Sequence, residues 1–269
     1  MNVNGANIQY KQWGEDKHEH VLFIHGLGSS YLGWRDIPEA LSEYMHTIAV
    51  DLIGFGGSDK PETTDYEIQG LGKFIVDFIT NIGIRKDEKV SLVGHSLGGY
   101  IAVEVAIANK DLIEKLVLID SSGTLSQPTS LLWLYLDAAR DKEPVVRYKN
   151  VQKVFESLLS VGSRLSPITV DLFVETIVKE GAIHAFESAF HNSTTTQIGA
   201  ERLKQIKNIP CLLIWGENDN LIPKDNAKEF KEVFTKDVDR YEEIKDAGHA
   251  PFAEKTALVY QKMLTFLTR

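Results

Sequence analysis

The sequence holds one cysteine, Cys211, among 269 residues, so no disulfide can close within the chain, and the usage fits a reducing, cytoplasmic setting. Long apolar runs are missing: none approaches the ~18 residues needed to cross a bilayer. The first twenty residues, MNVNGANIQYKQWGEDKHEH, lack a cationic start followed by an apolar stretch, so no secretory leader is expected. Without such a leader the Asn192-Ser193-Thr194 glycosylation pattern has no context. A basic excess is also missing. The formal charge of -9 argues against nonspecific binding to nucleic acid or anionic membranes. Internal repeats and low-complexity segments are absent. What remains, with 43% hydrophobic and 25% charged residues, is an ordinary globular composition, enough for one large domain or a domain carrying an inserted lobe.

The first half alternates short apolar runs with helical patterns. Strands are expected at Ile8 to Trp13, Val21 to Ile24, Thr47 to Val50, Val90 to Val93 and Leu116 to Ile119. Between them, Ile68, Leu71, Ile75, Phe78, Ile79 and Ile82 repeat at helical spacing. A second, buried helix runs from Ser96 to Asn109. Such alternation predicts an α/β fold with a mostly parallel central sheet covered on both faces. It stops near Gly123. From there to Lys207 only helical patterns occur, at Leu131–Ala139, Val145–Leu159, Pro167–Lys179 and Ile183–Phe190. It resumes with a strand at Cys211 to Trp215, a helix at Lys224 to Phe234, a strand near Arg240 to Ile244 and a last helix from Pro251 to Leu267. The expected organisation is a core of residues 1–122 and 208–269, with residues 123–207 inserted as an all-helical cap.

One stretch carries the chemistry. Gly94-His95-Ser96-Leu97-Gly98-Gly99 sits where an apolar strand turns into a helix, the setting of a nucleophile elbow. Its glycines give room to a sharp turn whose central residue is strained, and the hydroxyl emerges at a helix N-terminus, where amides and dipole favour negative charge. The plainer alternative is a glycine-rich helix start with Ser96 as a cap. A serine nucleophile needs a base, and the base an orienting acid. In the chain order serine, acid, histidine, the candidates are Asp219 after the Cys211 strand and His249 between the last strand and last helix. All three fall at carboxyl ends of strands, where open α/β sheets bind ligands. His249 could instead only cap the final helix. Asp120, ending the Leu116–Ile119 strand, is an alternative acid, and Glu217 a more remote one. His95 is expected to point away from its neighbour Ser96. His18 and His20 fall in a charged turn, His46 before a strand, and His184 and His191 in the insertion. An oxyanion needs donors set in advance, and the backbone N–H groups of Leu97 and Leu27 are assigned to it.

Taken together, His25-Gly26-Leu27-Gly28, the Asp51–Ser58 stretch, the Gly94–Gly99 elbow, Gly216–Asp219 with Ile222-Pro223, and Gly248-His249 resemble the α/β-hydrolase fold superfamily, in its esterase and lipase-like branch with a helical cap. The resemblance covers the chain from about residue 20 to its end, the cap excepted. It implies an α/β-hydrolase fold and a serine hydrolase acting on carboxylic esters through Ser96, His249 and Asp219, with no metal or organic cofactor. Haloalkane dehalogenases and epoxide hydrolases place aspartate where Ser96 stands, which sets this chain apart. Carbon–carbon hydrolases of ring-cleavage products often carry asparagine and tryptophan where His95 and Ala250 stand. That chemistry, thioester or lactone hydrolysis and acyl transfer remain alternatives on the same triad. A ligand-binding receptor on a hydrolase scaffold is the non-enzymatic one.

In the insertion, Leu131 to Leu136, Phe155, Leu158, Leu159, Phe173, Phe186 and Phe190 supply apolar bulk. Most of it should pack the insertion against itself and the core. A subset is expected to line a pocket for short to medium apolar esters. The partners expected are a small-molecule ester and, at most, a second copy of the chain in a homodimer; otherwise the chain is a monomer.

Overall fold

The computed structural model of the chain describes residues 1–34, 36–85, 87–163, 167–179, 181–234 and 241–269. Seven strands form one sheet: β1 (Tyr10–Trp13), β2 (His20–Ile24), β3 (His46–Val50), β4 (Val90–His95), β5 (Ile113–Ile119), β6 (Cys211–Gly216) and β7 (Tyr241–Ile244). Their order is β1-β3-β2-β4-β5-β6-β7. Within this sheet, among the described residues, the β1–β3 pair is antiparallel and the other pairs are parallel. The expected edge strand at the N-terminus is shorter than its apolar run, because residues 1–8 also close a small hairpin, Asn2–Val3 against Ala6–Asn7. Arg240, expected to open the last strand, lies outside the described residues.

Period-two alternation divides the buried strand residues between two cores. Leu22, Ile24, Leu92, Leu116, Leu118 and Leu213 face one side, and Val21, Phe23, Val93, Val117, Ile119 and Ile214 face the other. Helices cover both. On the first side lie α1 (Ile68–Asn81) and α2 (Leu97–Ala108). In α1 the apolar stripe expected from spacing is buried, through Ile68, Leu71, Ile75, Phe78 and Ile79. In α2 every residue from Leu97 to Ala106 is buried, which explains why it shows no polar face.

Between β5 and β6 the chain is helical, as expected: α3 (Ser130–Arg140), α4 (Pro144–Leu158), α5 (Pro167–Val178) and α6 (Ala182–Thr195). Helix α6 runs five residues past the apolar pattern. Its polar end is used in place: Asn192 Nδ2 donates to the Asp65 carbonyl at 2.7 Å. After β6 come α7 (Lys228–Phe234) and α8 (Thr256–Leu267), and short helical turns occur at Ile37–Leu41 and Ala200–Leu203. The last helix was expected to be continuous from Pro251, yet Lys255 breaks it after a single turn, Pro251–Glu254. No helix among the described residues is long and apolar enough to cross a membrane.

The parallel register positions the site. His95 pairs with Ile119, Ile119 with Ile214, and Gly216 with Ile244, so these strands end along one edge. Ser96 and Asp120 follow the ends of β4 and β5 directly. The loops bearing Asp219 and His249 leave from the ends of β6 and β7. Distant residues therefore meet because the strands are parallel.

Candidate active site

Ser96 has φ 53° and ψ −118°, a left-handed conformation that costs a non-glycine residue of order 1–3 kcal/mol. The surroundings hold it there. Its N–H donates to the Ile119 carbonyl at 3.0 Å, and its carbonyl accepts from the N–H groups of Gly99 and Ser122 at 3.0 and 3.1 Å. The glycines are needed for contact as well as for bending. A Cβ on Gly98 would fall 2.1 Å from the Ile24 carbonyl oxygen, and one on Gly94 would fall 2.4 Å from that of Gly98. Leu97 opens α2, so its N–H has no partner one helical turn back.

Asp219 is buried and both of its carboxylate oxygens accept hydrogen bonds. Oδ1 accepts the N–H groups of Leu221 and Ile222 at 2.8 and 3.0 Å, and Oδ2 lies 2.8 Å from His249 Nδ1. A carboxylate in that position fixes the tautomer with Nδ1–H, which leaves Nε2 as the free base. His249 and Ser96 line one cavity together with Gly26 and Leu27. Ser96 Oγ makes no hydrogen bond among the described residues. Leu97, its side chain buried, does not line the cavity.

The loop after β2 lies against the elbow: a Cβ on Gly26 would come within 3.1 Å of Ser96 Cβ. His25 braces this loop. Its Nδ1 donates to the Gly26 carbonyl at 2.8 Å and its Nε2 accepts the Leu52 N–H at 3.1 Å. Burial pushes the His25 imidazole down from its usual range, so it stays neutral, as both bonds require. The Tyr135 hydroxyl of α3 donates to the Leu27 carbonyl at 3.2 Å. Asp51 proves to be a brace as well: its carboxylate accepts the N–H groups of Tyr31 and Gly57 at 2.6 and 2.7 Å.

His95 departs from expectation. It does not point away; it lines the cavity, and its ring centroid lies 4.7 Å from that of His249. Turning sharply at Ser96 leaves His95 at the strand end, on the side where the last loop returns. Its Nε2 sits 2.7 Å from the His249 carbonyl oxygen. Burial, with the neighbouring imidazole, holds His95 well below its usual range. His20, expected in a solvated turn, instead opens β2 and places Nδ1 3.0 Å from His46 Nδ1, far from the site at the other end of the sheet.

The helical segment between β5 and β6 reaches the site through α4. The His249 N–H donates to the Leu158 carbonyl at 2.7 Å. Glu254 accepts the N–H groups of Gly248 and Ser160 at 2.7 and 2.9 Å. Nothing in the sequence marks the ties to Leu158 and Ser160, since they join groups about ninety residues apart. Leu132, Tyr135, Phe155, Leu158 and Leu159 give the cavity apolar walls. Phe186 and Phe190 instead pack on Tyr135 and Trp133, at 4.9 and 5.2 Å between ring centroids. The Phe173 side chain lies outside the described set. His184 and His191 do not reach the cavity; His184 Nε2 donates to the Thr64 carbonyl at 3.2 Å.

Among the described residues one group could offer three metal ligands, Asp120, Asp219 and His249, with ligand atoms within 4.8 Å of one another. A cation there would have to displace the Asp219–His249 hydrogen bond, so the donor set fits a proton-handling dyad better than a metal.

Comparison with known proteins places this geometry in context. The family model described as alpha/beta hydrolase fold matches residues 19–256. An uncharacterized hydrolase, YugF, of Bacillus subtilis is 27% identical over 270 residues, covering 98% of this chain and 96% of its own. The 2-hydroxy-6-oxo-6-(2'-aminophenyl)hexa-2,4-dienoic acid hydrolase of Metapseudomonas resinovorans is 24% identical over 282 residues, covering 100% and 90%. The crystal structure of a bacterial membrane phospholipase A superposes with a TM-score of 0.82 at 26% identity, covering 100% of this chain and 86% of that one. With its matched length, its mostly parallel sheet and its flanking helices, the chain belongs to the alpha/beta hydrolase fold family.

Proposed function

We propose that this chain is a serine hydrolase that cleaves neutral carboxylic esters of small to medium apolar substrates. The observation that carries the reading is a single cavity bearing Ser96 and His249 within apolar walls, with Asp219 bonded to the far nitrogen of the imidazole. Residues 123–207 would act as a cap over a core of residues 1–122 and 208–269, closing the cavity through α3 and α4.

In the proposed reaction His249 Nε2 takes the Ser96 proton as Oγ attacks the ester carbonyl. The Oγ–Nε2 contact closes with substrate bound, as catalytic contacts commonly do. The oxyanion is received by the N–H groups of Leu27 and Leu97, assisted by the N-terminus of α2. His249 then protonates the leaving alkoxide, and the acyl group stays on Ser96. Water, deprotonated by the same imidazole, releases the acid and restores the serine. Asp219 holds the imidazole upright and stabilises its charged form throughout.

Carbon–carbon hydrolysis is the second reading, favoured by the relative named for a dienoic acid. Such a substrate carries a carboxylate, and none of the described residues lining the cavity is lysine or arginine. That lining suits an uncharged ligand. The test is turnover across p-nitrophenyl esters of increasing acyl length, alongside carboxylate-bearing, sugar, thioester, lactone and ring-cleavage substrates. Best turnover on short to medium linear acyl chains is expected. Best turnover on a charged or sugar ester, or on a dienoic acid, would overturn the proposal. A phosphonate serine probe should label the wild type and spare Ser96→Ala. A folded wild type that resists labelling would favour a receptor.

A further inference from the structure

We propose that Asp120 is a positioning residue of this site, a neutral carboxylic acid whose Oδ2–H donates to the Asp219 carboxylate and so steadies the charge that orients His249. The inference rests on the triad proposed above and concerns a residue outside it.

Asp120 is fully buried and takes φ 43°, a strained conformation that aims its side chain across the strand ends. Two bonds fix its backbone and one oxygen: its N–H donates to the Ile214 carbonyl at 3.0 Å, and Oδ1 accepts the Gly216 N–H at 2.8 Å. The other oxygen, Oδ2, is buried and has no donor directed at it. An oxygen of Asp120, an oxygen of Asp219 and a nitrogen of His249 lie within 4.8 Å of one another.

Two carboxylates cannot both stay ionised at that distance away from water unless a cation joins them. Among the described residues the one ion pair either makes is Asp219 with His249, and that holds only when the imidazole is protonated. The other titratable groups acting on Asp120 are Glu254, a third acid, and Tyr241, a phenol whose pKa burial pushes up to about 12. Neither supplies positive charge. One proton must therefore sit between the carboxylates. Asp219 already accepts two amide N–H groups and the imidazole N–H, the pattern that favours an anion. Asp120 accepts one amide and has a bare oxygen, so the proton belongs on its Oδ2. Burial, then the Asp219 charge, push the Asp120 carboxyl well above the usual carboxylate range, in agreement with this placement.

The arrangement has a chemical consequence. A donor on Asp219 spreads its charge, so that carboxylate holds the imidazolium formed on His249 during turnover less strongly than a bare one would.

Asp120→Asn tests this directly, because the amide keeps both contacts: Oδ1 can accept from Gly216 and Nδ2 can donate to Asp219. It should leave kcat/KM within about threefold and the acid limb of its pH profile in place, within about 0.3 of a unit. Asp120→Leu removes the donor and should move the acid limb upward while lowering kcat. Infrared difference spectra at neutral pH supply the readout that does not depend on activity. The carbonyl stretch of a protonated carboxylic acid should be present in the wild type and missing from Asp120→Asn. No such band, or an Asp120→Asn acid limb lowered by a unit or more, would mean that Asp120 is ionised and would overturn the inference. Failure of the wild type on every ester would sink the hydrolase reading instead, and the infrared band would still decide the protonation of Asp120.

Discussion

The Nε2 of His95 donates to the main-chain carbonyl of His249 across 2.7 Å. A carbonyl oxygen can only accept, so Nε2 must carry the hydrogen, and a neutral ring then leaves Nδ1 bare. With the Leu158 carbonyl accepting the N–H of the same residue at 2.7 Å, the backbone of residue 249 is held from both sides. The residue beside the proposed nucleophile thus steadies the proposed base.

His95→Gln, which can still donate, should retain most activity, whereas His95→Leu should lower kcat by roughly 10- to 100-fold, as expected when a reacting group is displaced by about an ångström. KM should move little, because the contact is made by protein groups alone. Steady-state kinetics on a short-chain p-nitrophenyl ester checks this. Equal activity in His95→Leu and the wild type would show that Leu158 alone suffices to hold the loop.

The proposed triad predicts a graded pair of losses. Ser96→Ala should lose at least about 10³-fold in kcat and all labelling by a phosphonate probe. Asp219→Asn should lose about 10³- to 10⁴-fold while staying folded: its amide can accept from Leu221 and Ile222, yet it presents N–H groups to His249 Nδ1 and favours the wrong tautomer. Near-normal turnover in Asp219→Asn would transfer the orienting role to another acid, with Asp120 the nearest.

Opposite pH dependences should separate His95 from Asp120. The folded pKa of His95 is depressed, so below the unfolded value near 6.5 the unfolded chain binds a proton that the native one refuses, and stability falls as pH falls. For Asp120 the folded pKa is raised. Above the unfolded value near 3.8 the native state keeps a proton that the unfolded chain releases, and stability falls as pH rises toward the folded pKa. Each slope is at most about 1.4 kcal/mol per pH unit. Urea midpoints of Asp120→Asn should therefore match the wild type in acid and exceed it increasingly above about pH 4. His95→Gln should lose less stability than the wild type below about pH 6.5. Parallel curves for all three proteins would contradict both assignments.

Much of this architecture was legible because local signals were strong. Short runs of four or five mostly apolar residues marked β2 to β6, and the i, i+3, i+4 stripe marked α1, since burial acts on each element separately. That Ser96, Asp219 and His249 come together was legible through turn chemistry and through the rule that parallel strands end together. The side chain of His95 was misread, because its direction depends on a loop returning from 154 residues away. Of the apolar insertion residues, sequence could not separate those facing the cavity, such as Phe155 and Leu158, from those packed inside, such as Phe186 and Phe190. Helical spacing reports that a face is buried and says nothing of what buries it.

The Glu104–Arg202 pair offers a test of how the stretch after α6 is tied to α2. Glu104 lies on α2, 5% exposed, and both its oxygens are gripped by one guanidinium, at 2.7 and 2.6 Å. Arg202→Met would strand a buried carboxylate, a loss that reaches 3–5 kcal/mol for fully buried pairs. Arg202 itself is 38% exposed, so water and salt screen the interaction and about 1–3 kcal/mol is the better expectation. Arg202→Lys should fall between, because an ammonium cannot meet both oxygens at once. Pairing Arg202→Met with Glu104→Gln should recover part of the loss, giving a coupling of about 1–2 kcal/mol in a double-mutant cycle read by urea unfolding. Turnover of the folded fraction should change little, since neither residue lines the cavity. A coupling near zero would show that solvent already satisfies Glu104 and that apolar packing alone fastens this stretch to α2.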